Sequence, residues 1–237
     1  MFGLSIPMRS PMNETPSNPA HLSKHRLEAL IDGIFAVVMT LLVIDLRLPE
    51  RARDLDEAGV RRALVDLLPN FESWVISFLV LAIFWVANHR LYSHVRQIDS
   101  KLIRFTMLML AGASLLPFAA AVNAQSSTQI GQIVYGAVLV TMGLALLLMW
   151  RHIYRNPELC VHPVDAHTWH AACVRASGMM LISLLTIPLA YALPGKANIA
   201  FGLMFLVRPV AEHIATRMQK PAPLLIDEEP EAPSQPA

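Results

Sequence analysis

The chain has 237 residues, of which 54% are hydrophobic and only 16% charged, with a formal net charge of +1. Apolar residues in that proportion, gathered into long blocks, exclude an ordinary soluble domain and place the chain among integral membrane proteins with one membrane domain. The net charge is uninformative because the charges are segregated, and the two cysteines, Cys160 and Cys173, make no disulfide framework.

The opening residues, MFGLSIPMRSPMNETPSNPAHLSKH, lack the long apolar core of a signal peptide and are broken by Pro7, Pro11, Pro16 and Pro19. Residues 1–25 therefore read as a disordered tail. The first predicted span runs from Arg26 to Leu48 and carries Asp32 inside it and Asp45 near its far end. A carboxylate in a membrane span is costly and faces protein or a watery path rather than lipid. At about 100° per residue, Val37, Leu41 and Ile44 fall on one helical face, with Gly33 and Thr40 on its flank. Asp32 points roughly 140° away from Val37, toward a different neighbour.

A polar stretch from Pro49 to Asn70 follows, and its second half, with Val60, Leu64, Leu67 and Leu68, has the pattern of a short interfacial helix. The second span covers about Phe71 to Asn88 and ends in Trp85, Asn88, His89 and Arg90. The third covers about Phe105 to Asn123, with Pro117 as a candidate kink. The fourth covers about Ile130 to Trp150, and a histidine-bearing link then reaches about His170. The fifth covers about Ala171 to Leu193 with Pro188 inside it, and Pro194-Gly195 makes the turn. The sixth covers about Ala197 to His213. The acidic, proline-rich end, residues 219–237, reads as a second disordered tail, leaving 26–218 as the membrane domain. The expected fold is all-α, a polytopic protein of six transmembrane helices.

Six spans put both termini on one side. The links after spans two and four carry Arg90, Arg96, Lys101, Arg104, Arg151 and Arg155, whereas the links after spans three and five carry only Lys196. The positive-inside rule then places both termini and the basic links in the cytoplasm. The loop after span one, with Arg47, Arg51, Arg53, Arg61 and Arg62 set against six acids, runs against that simple picture. Topology and anionic lipid account for the basic links better than nucleic acid does.

With Arg26, Asp32, the Thr40–Val43 run TLLV and Trp85-x-x-Asn88-His89-Arg90 laid out, the chain resembles the transmembrane-protein-175 family of potassium channels, as a prokaryotic member. The family's first-helix motif, R-x-x-x-F-S-D, reads here Arg26-x-x-x-Leu30-Ile31-Asp32, so the Arg and Asp match while a hydroxyl beside Asp32 is gone. The resemblance covers the membrane domain and implies a homotetramer around a central pore lined by the first helices. It implies a gate of bulky aliphatic side chains at Val37, with Leu41 and Ile44 one and two turns later, and it implicates Thr40 in cation preference. These are the positions the helical spacing had already grouped.

An aliphatic ring gates by dewetting, because a narrow apolar constriction makes a water column unstable. No carbonyl filter of the T-V-G-Y-G type occurs in the chain, so potassium preference has to come from constriction width, Thr40 hydroxyls and nearby backbone, and is expected to be modest. Arg26, Asp32, Trp85, Asn88, His89 and Arg90 lie at similar depth at one end of spans one and two. Asp32 is placed to accept a hydrogen bond from Asn88, His89 or Arg90, as a structural clamp between helices or as a movable latch.

Two other readings stay open. In a proton-coupled secondary transporter Asp32 would titrate during the cycle. In a membrane-embedded metal-binding protein or enzyme, His162, His167 and His170 with Cys160 and Cys173 would be the site, although C-x-H and H-x-x-H match no standard finger. Trp74, Trp85, Trp150 and Trp169 fall near predicted span ends and suit an aromatic belt. No Walker sequence, nucleophile elbow or dinucleotide loop is present, so no enzyme activity and no cofactor is expected. The expectation is a passive channel of the cell (inner) membrane that prefers potassium over other monovalent cations, with proton permeation and lipid contact.

Overall fold

Long apolar runs favour helices that satisfy their own backbone hydrogen bonds, and helix is what every long element forms. The computed structural model describes residues 23–48, 56–125 and 129–192, with Leu203 and His213. Among these residues six α-helices occur: α1 (Lys24–Leu41), α2 (Glu57–Asp66), α3 (Leu68–His94), α4 (Ser100–Gln125), α5 (Gln129–Arg155) and α6 (Ala166–Ala192). Five are long and apolar enough to cross a membrane, α1 with its 3-10 extension Leu42–Asp45 and then α3 to α6. The expected sixth span lies outside the described residues except for Leu203 and His213, as do most of the two terminal tails.

The helices are longer than the apolar runs. α3, α5 and α6 each have 27 residues, about 40 Å at 1.5 Å per residue, against a hydrocarbon core of about 30 Å. The last turns of α3 therefore carry Asn88 to His94, and α5 runs through His152 to Arg155. α2 is the short helix expected before the second span. The Asp56 carboxylate caps it through the Gly59 amide at 2.8 Å, and Leu67 joins it directly to α3.

α5 is the spine of the bundle, packed along α4 on one side and α6 on the other, while α1 lies against α4 and α3. The close approach of α5 and α6 depends on small residues. A Cβ at Gly136 would stand 3.2 Å from the Ser183 carbonyl oxygen, and one at Gly143 would stand 2.7 Å from Met180 Cγ. Next to Gly136, Tyr135, 1% exposed, exchanges a 3.1 Å hydrogen bond with Ser77 of α3.

The two basic links meet. Val95 and Cys160 form an antiparallel bridge, and the Arg96 amide donates to the Leu159 carbonyl at 2.7 Å while the Val161 amide donates to His94 at 2.9 Å. Asp99 ties the same corner together. One carboxylate oxygen caps α4 at the Leu102 amide (2.9 Å), and the other meets His152 Nε2 at 2.9 Å. Burial alone would raise the Asp99 carboxyl, but the Leu102 amide and the His152 ring hold it below the ordinary carboxylate range. The links after α3 and α5 thus lie on one side of the bundle, as their shared charge led us to expect.

The aromatic-belt expectation holds less well. Trp150 is 3% exposed and meets the His94 ring edge-on at 5.5 Å. Trp85 lies nine residues before the end of α3 and turns to α1. Both sit where an apolar run stops, but the helix continues past them, so they pack against neighbouring helices.

Candidate functional site

α1 has two apolar faces. Leu27, Ile31, Phe35, Val38 and, just beyond, Leu42 recur at helical spacing and are between 0% and 4% exposed, buried against the rest of the chain. On the other side Val37 is 56% exposed, Leu41 41% and Ile44 43%, and Thr40 is exposed with them. A Cβ added at Gly33 would meet nothing within 4 Å. The face singled out from spacing is therefore the one that the chain's own packing leaves uncovered.

Thr40 has a defined role on that face. Its Oγ1 donates to the Val37 carbonyl at 2.7 Å, which spends the proton inside the helix and leaves the oxygen lone pairs as the group presented outward. Such a hydroxyl offers an acceptor to a passing cation. At the end of the 3-10 turn, Arg47 Nε donates to the Ile44 carbonyl at 2.7 Å, next to Asp45.

The polar anchor forms with a different donor from those expected. Asp32 Oδ1 accepts from Trp85 Nε1 at 2.8 Å, and the Trp85 ring stacks on His89 with centroids 6.0 Å apart. Asn88 turns inward instead: it is 1% exposed, and both its amide oxygen and its amide nitrogen are without a hydrogen-bond partner. Arg26 is exposed in the first turn of α1, and Arg90 is not among the residues that line the space around Asp32. A half-open cavity of about 310 Å³ separates α1 from α3 here, and Asp32, Trp85, Asn88 and His89 line it together with Glu28 and Tyr92. Sequence reasoning missed Glu28, although it stands one turn before Asp32 on the same face. It missed Tyr92 too, whose hydroxyl meets Thr106 at 2.7 Å.

The histidines and cysteines of the link after α5 are scattered. His170 Nδ1 bonds the Ala166 carbonyl at 2.6 Å, and buried Cys160 turns its Sγ to the Ile153 carbonyl at 3.7 Å. Burial, with Glu158 nearby, pushes the Cys160 thiol up and keeps it un-ionised. Among the described residues no three His, Cys, Asp or Glu side chains gather to hold a metal ion.

Comparison with known proteins gives this geometry its context. The family described as the endosomal/lysosomal potassium channel TMEM175 matches residues 26–117, which takes in α1, α2, α3 and most of α4. A potassium channel of Streptomyces collinus is 32% identical over 186 residues, 76% of this chain and 89% of that protein. The endosomal/lysosomal proton channel TMEM175 of Bos taurus is 35% identical over 104 residues, which is 41% of this chain and 22% of that protein. Among solved structures, a lysosomal potassium-selective channel TMEM175 homolog from Chamaesiphon minutus shares the fold. Its TM-score is 0.63 at 22% identity, covering 81% of this chain and 97% of that one.

Proposed function

This chain belongs to the TMEM175 family of potassium channels, and from that premise we propose that it is a passive, potassium-preferring cation channel whose pore runs between copies of α1. It is an integral membrane ion channel and not an enzyme. Four copies surround the axis, both termini lie in the cytoplasm, and the membrane is the prokaryotic inner membrane. Protons share the path with potassium and other monovalent cations.

The observation that carries this reading is the uncovered face of α1. A helix that is apolar all round is buried on all sides or faces lipid. This one places Thr40 and the small Gly33 among the exposed Val37, Leu41 and Ile44, a mixture suited to a narrow aqueous path. Aliphatic side chains there make the bottleneck, and Thr40 oxygens give a cation side-chain acceptors beside it. The Asp32–Trp85 contact faces away from that path and holds α1 to α3, so it acts on the position of the helix and not directly on the ion.

The test is flux and accessibility. Protein in liposomes with a potassium gradient should pass current driven by voltage alone. Val37→Cys or Leu41→Cys channels should be blocked by a charged thiol reagent, while Phe35→Cys should not respond. Flux that depends strictly on a proton gradient, or reagent block confined to Phe35→Cys, would overturn the proposal.

A further inference from the structure

The cavity between the first turns of α1 and the last turns of α3 is built for an occupant that the pore does not need. Glu28 and Asp32 are one turn apart on α1, and Trp85, Asn88 and His89 follow the same-face spacing on α3. Within it lies the stranded amide of Asn88, with neither donor nor acceptor engaged. None of the other polar side chains lining the cavity, His25, Glu28, Asp32, Trp85, His89 and Tyr92, hydrogen-bonds it, and the Tyr92 hydroxyl is engaged with Thr106. A buried amide left in this state is costly, and a polar group from outside the chain would complete it.

The acceptors define the group. Asp32 gives one oxygen to Trp85 and keeps the other. Glu28 shares only a 3.5 Å ion pair with Lys24, its side chain 31% exposed. With the Asn88 carbonyl these make three acceptors, which match the three N–H donors of a primary ammonium. The stacked Trp85 and His89 rings form a wall suited to a cation. Asn88 Nδ2 asks for an acceptor oxygen close to that ammonium, and Arg26 and Arg90, which stand in the same turns outside the lining, are the cations available to an anion at the mouth, since Lys24 is paired with Glu28.

We infer that the α1–α3 cavity receives the headgroup of a phosphatidylethanolamine-type lipid, its ammonium held by Glu28, Asp32 and Asn88 and its phosphate by the cations of the same turns. The cavity lies toward one end of two membrane spans, the level at which headgroups lie. A choline headgroup carries no N–H and leaves these acceptors unmatched. A bare metal ion leaves Asn88 Nδ2 unpaired.

Native mass spectrometry of the full-length protein in detergent tests this, with short-chain lipids bearing ethanolamine, choline or glycerol headgroups and with free ethanolamine as competitor. The ethanolamine lipid should saturate one site per subunit, at least about tenfold more tightly than the choline lipid, the lower bound set by losing a single charge-assisted hydrogen bond. That preference should disappear in Glu28→Gln, which removes a partly exposed charge without touching the core, and in Asn88→Leu. Equal binding of ethanolamine and choline lipids, tighter binding of the glycerol lipid, or a preference that survives Glu28→Gln in folded protein would each overturn the inference. Free ethanolamine competing at the lipid's own concentration would assign the site to a soluble amine and reject the lipid.

Discussion

Phe35 and Val37 stand two residues apart on α1 and face opposite ways, so replacing each by alanine separates what holds the helix from what the helix does. Phe35 is 1% exposed among the side chains that seat α1. Its truncation should cost about 3–5 kcal/mol, and at about 2–4 °C per kcal/mol for a chain of this size the melting midpoint should fall on the order of 10 °C. Val37 is 56% exposed, and Val37→Ala should leave stability within about 0.5 kcal/mol. Its effect should lie in the pore. Alanine withdraws the wall by about one carbon–carbon bond, ~1.5 Å, so a ring of valines widens by roughly 3 Å, close to the diameter of a water molecule. A dewetted constriction that gains that width fills, and conductance or leak should rise. Thermal unfolding in detergent and potassium flux in liposomes read the two effects separately. Unchanged flux in both Val37→Ala and Leu41→Ala, or increased flux at unchanged stability in Phe35→Ala, would refute the assignment of faces.

Other substitutions probe the remaining parts. Thr40→Val keeps the shape and removes the hydroxyl, so it should bring the potassium-to-sodium permeability ratio toward one, measured as a reversal-potential shift, with little change in melting. Trp85→Phe deletes the 2.8 Å donor to Asp32 and should cost about 1–2 kcal/mol, altering open probability more than ion preference in single-channel records. Asp99→Asn should flatten the acid limb of stability. Because the Asp99 carboxyl is held below its ordinary value of 3.8, its contribution is complete above that value and lost as pH falls through the lowered one. Melting curves collected on either side of pH 4 should therefore converge for wild type and variant only at the acid end. Gly136→Val sets a branched side chain against the Ser183 backbone and should cost about 1–3 kcal/mol, seen as a lower melting midpoint.

Much of the plan was legible in the apolar runs, because a span is written in composition and a helix face in spacing. The grouping of Val37, Thr40, Leu41 and Ile44 needed only the 100° step. Helix ends were less legible. The run stops where hydrocarbon stops, but α3 continues to His94 and α5 to Arg155, since backbone hydrogen bonds continue into the headgroup region whether or not the side chains are apolar. For that reason Trp85 looked like a belt residue and is instead the donor to Asp32. The Asp99–His152 contact left no sequence signal, because 53 residues separate its partners and only the pairing of two links brings them together.

The position of Asn88 shows why the polar end of α1 is not legible from depth alone. From sequence, Asp32, Asn88, His89 and Arg90 form a pool of groups at one depth, any of which can serve a carboxylate. On α3, however, Trp85 and Asn88 are three residues apart and so about 60° apart around the axis. When Trp85 reaches Asp32, Asn88 is turned toward the interior, in a lining it shares with the isoleucine at position 31. A hydroxyl at 31 would place a polar group in that same lining. With isoleucine there, the amide is left without a partner beside the cavity, and the proposed lipid headgroup would take the place of that hydroxyl. Ile31→Ser should therefore satisfy the amide internally. The variant should melt no lower than wild type despite the loss of a buried aliphatic side chain, and it should weaken retention of the ethanolamine lipid. A stability loss of the size expected for a core truncation, with lipid retention unchanged, would show that Asn88 had been satisfied in some other way.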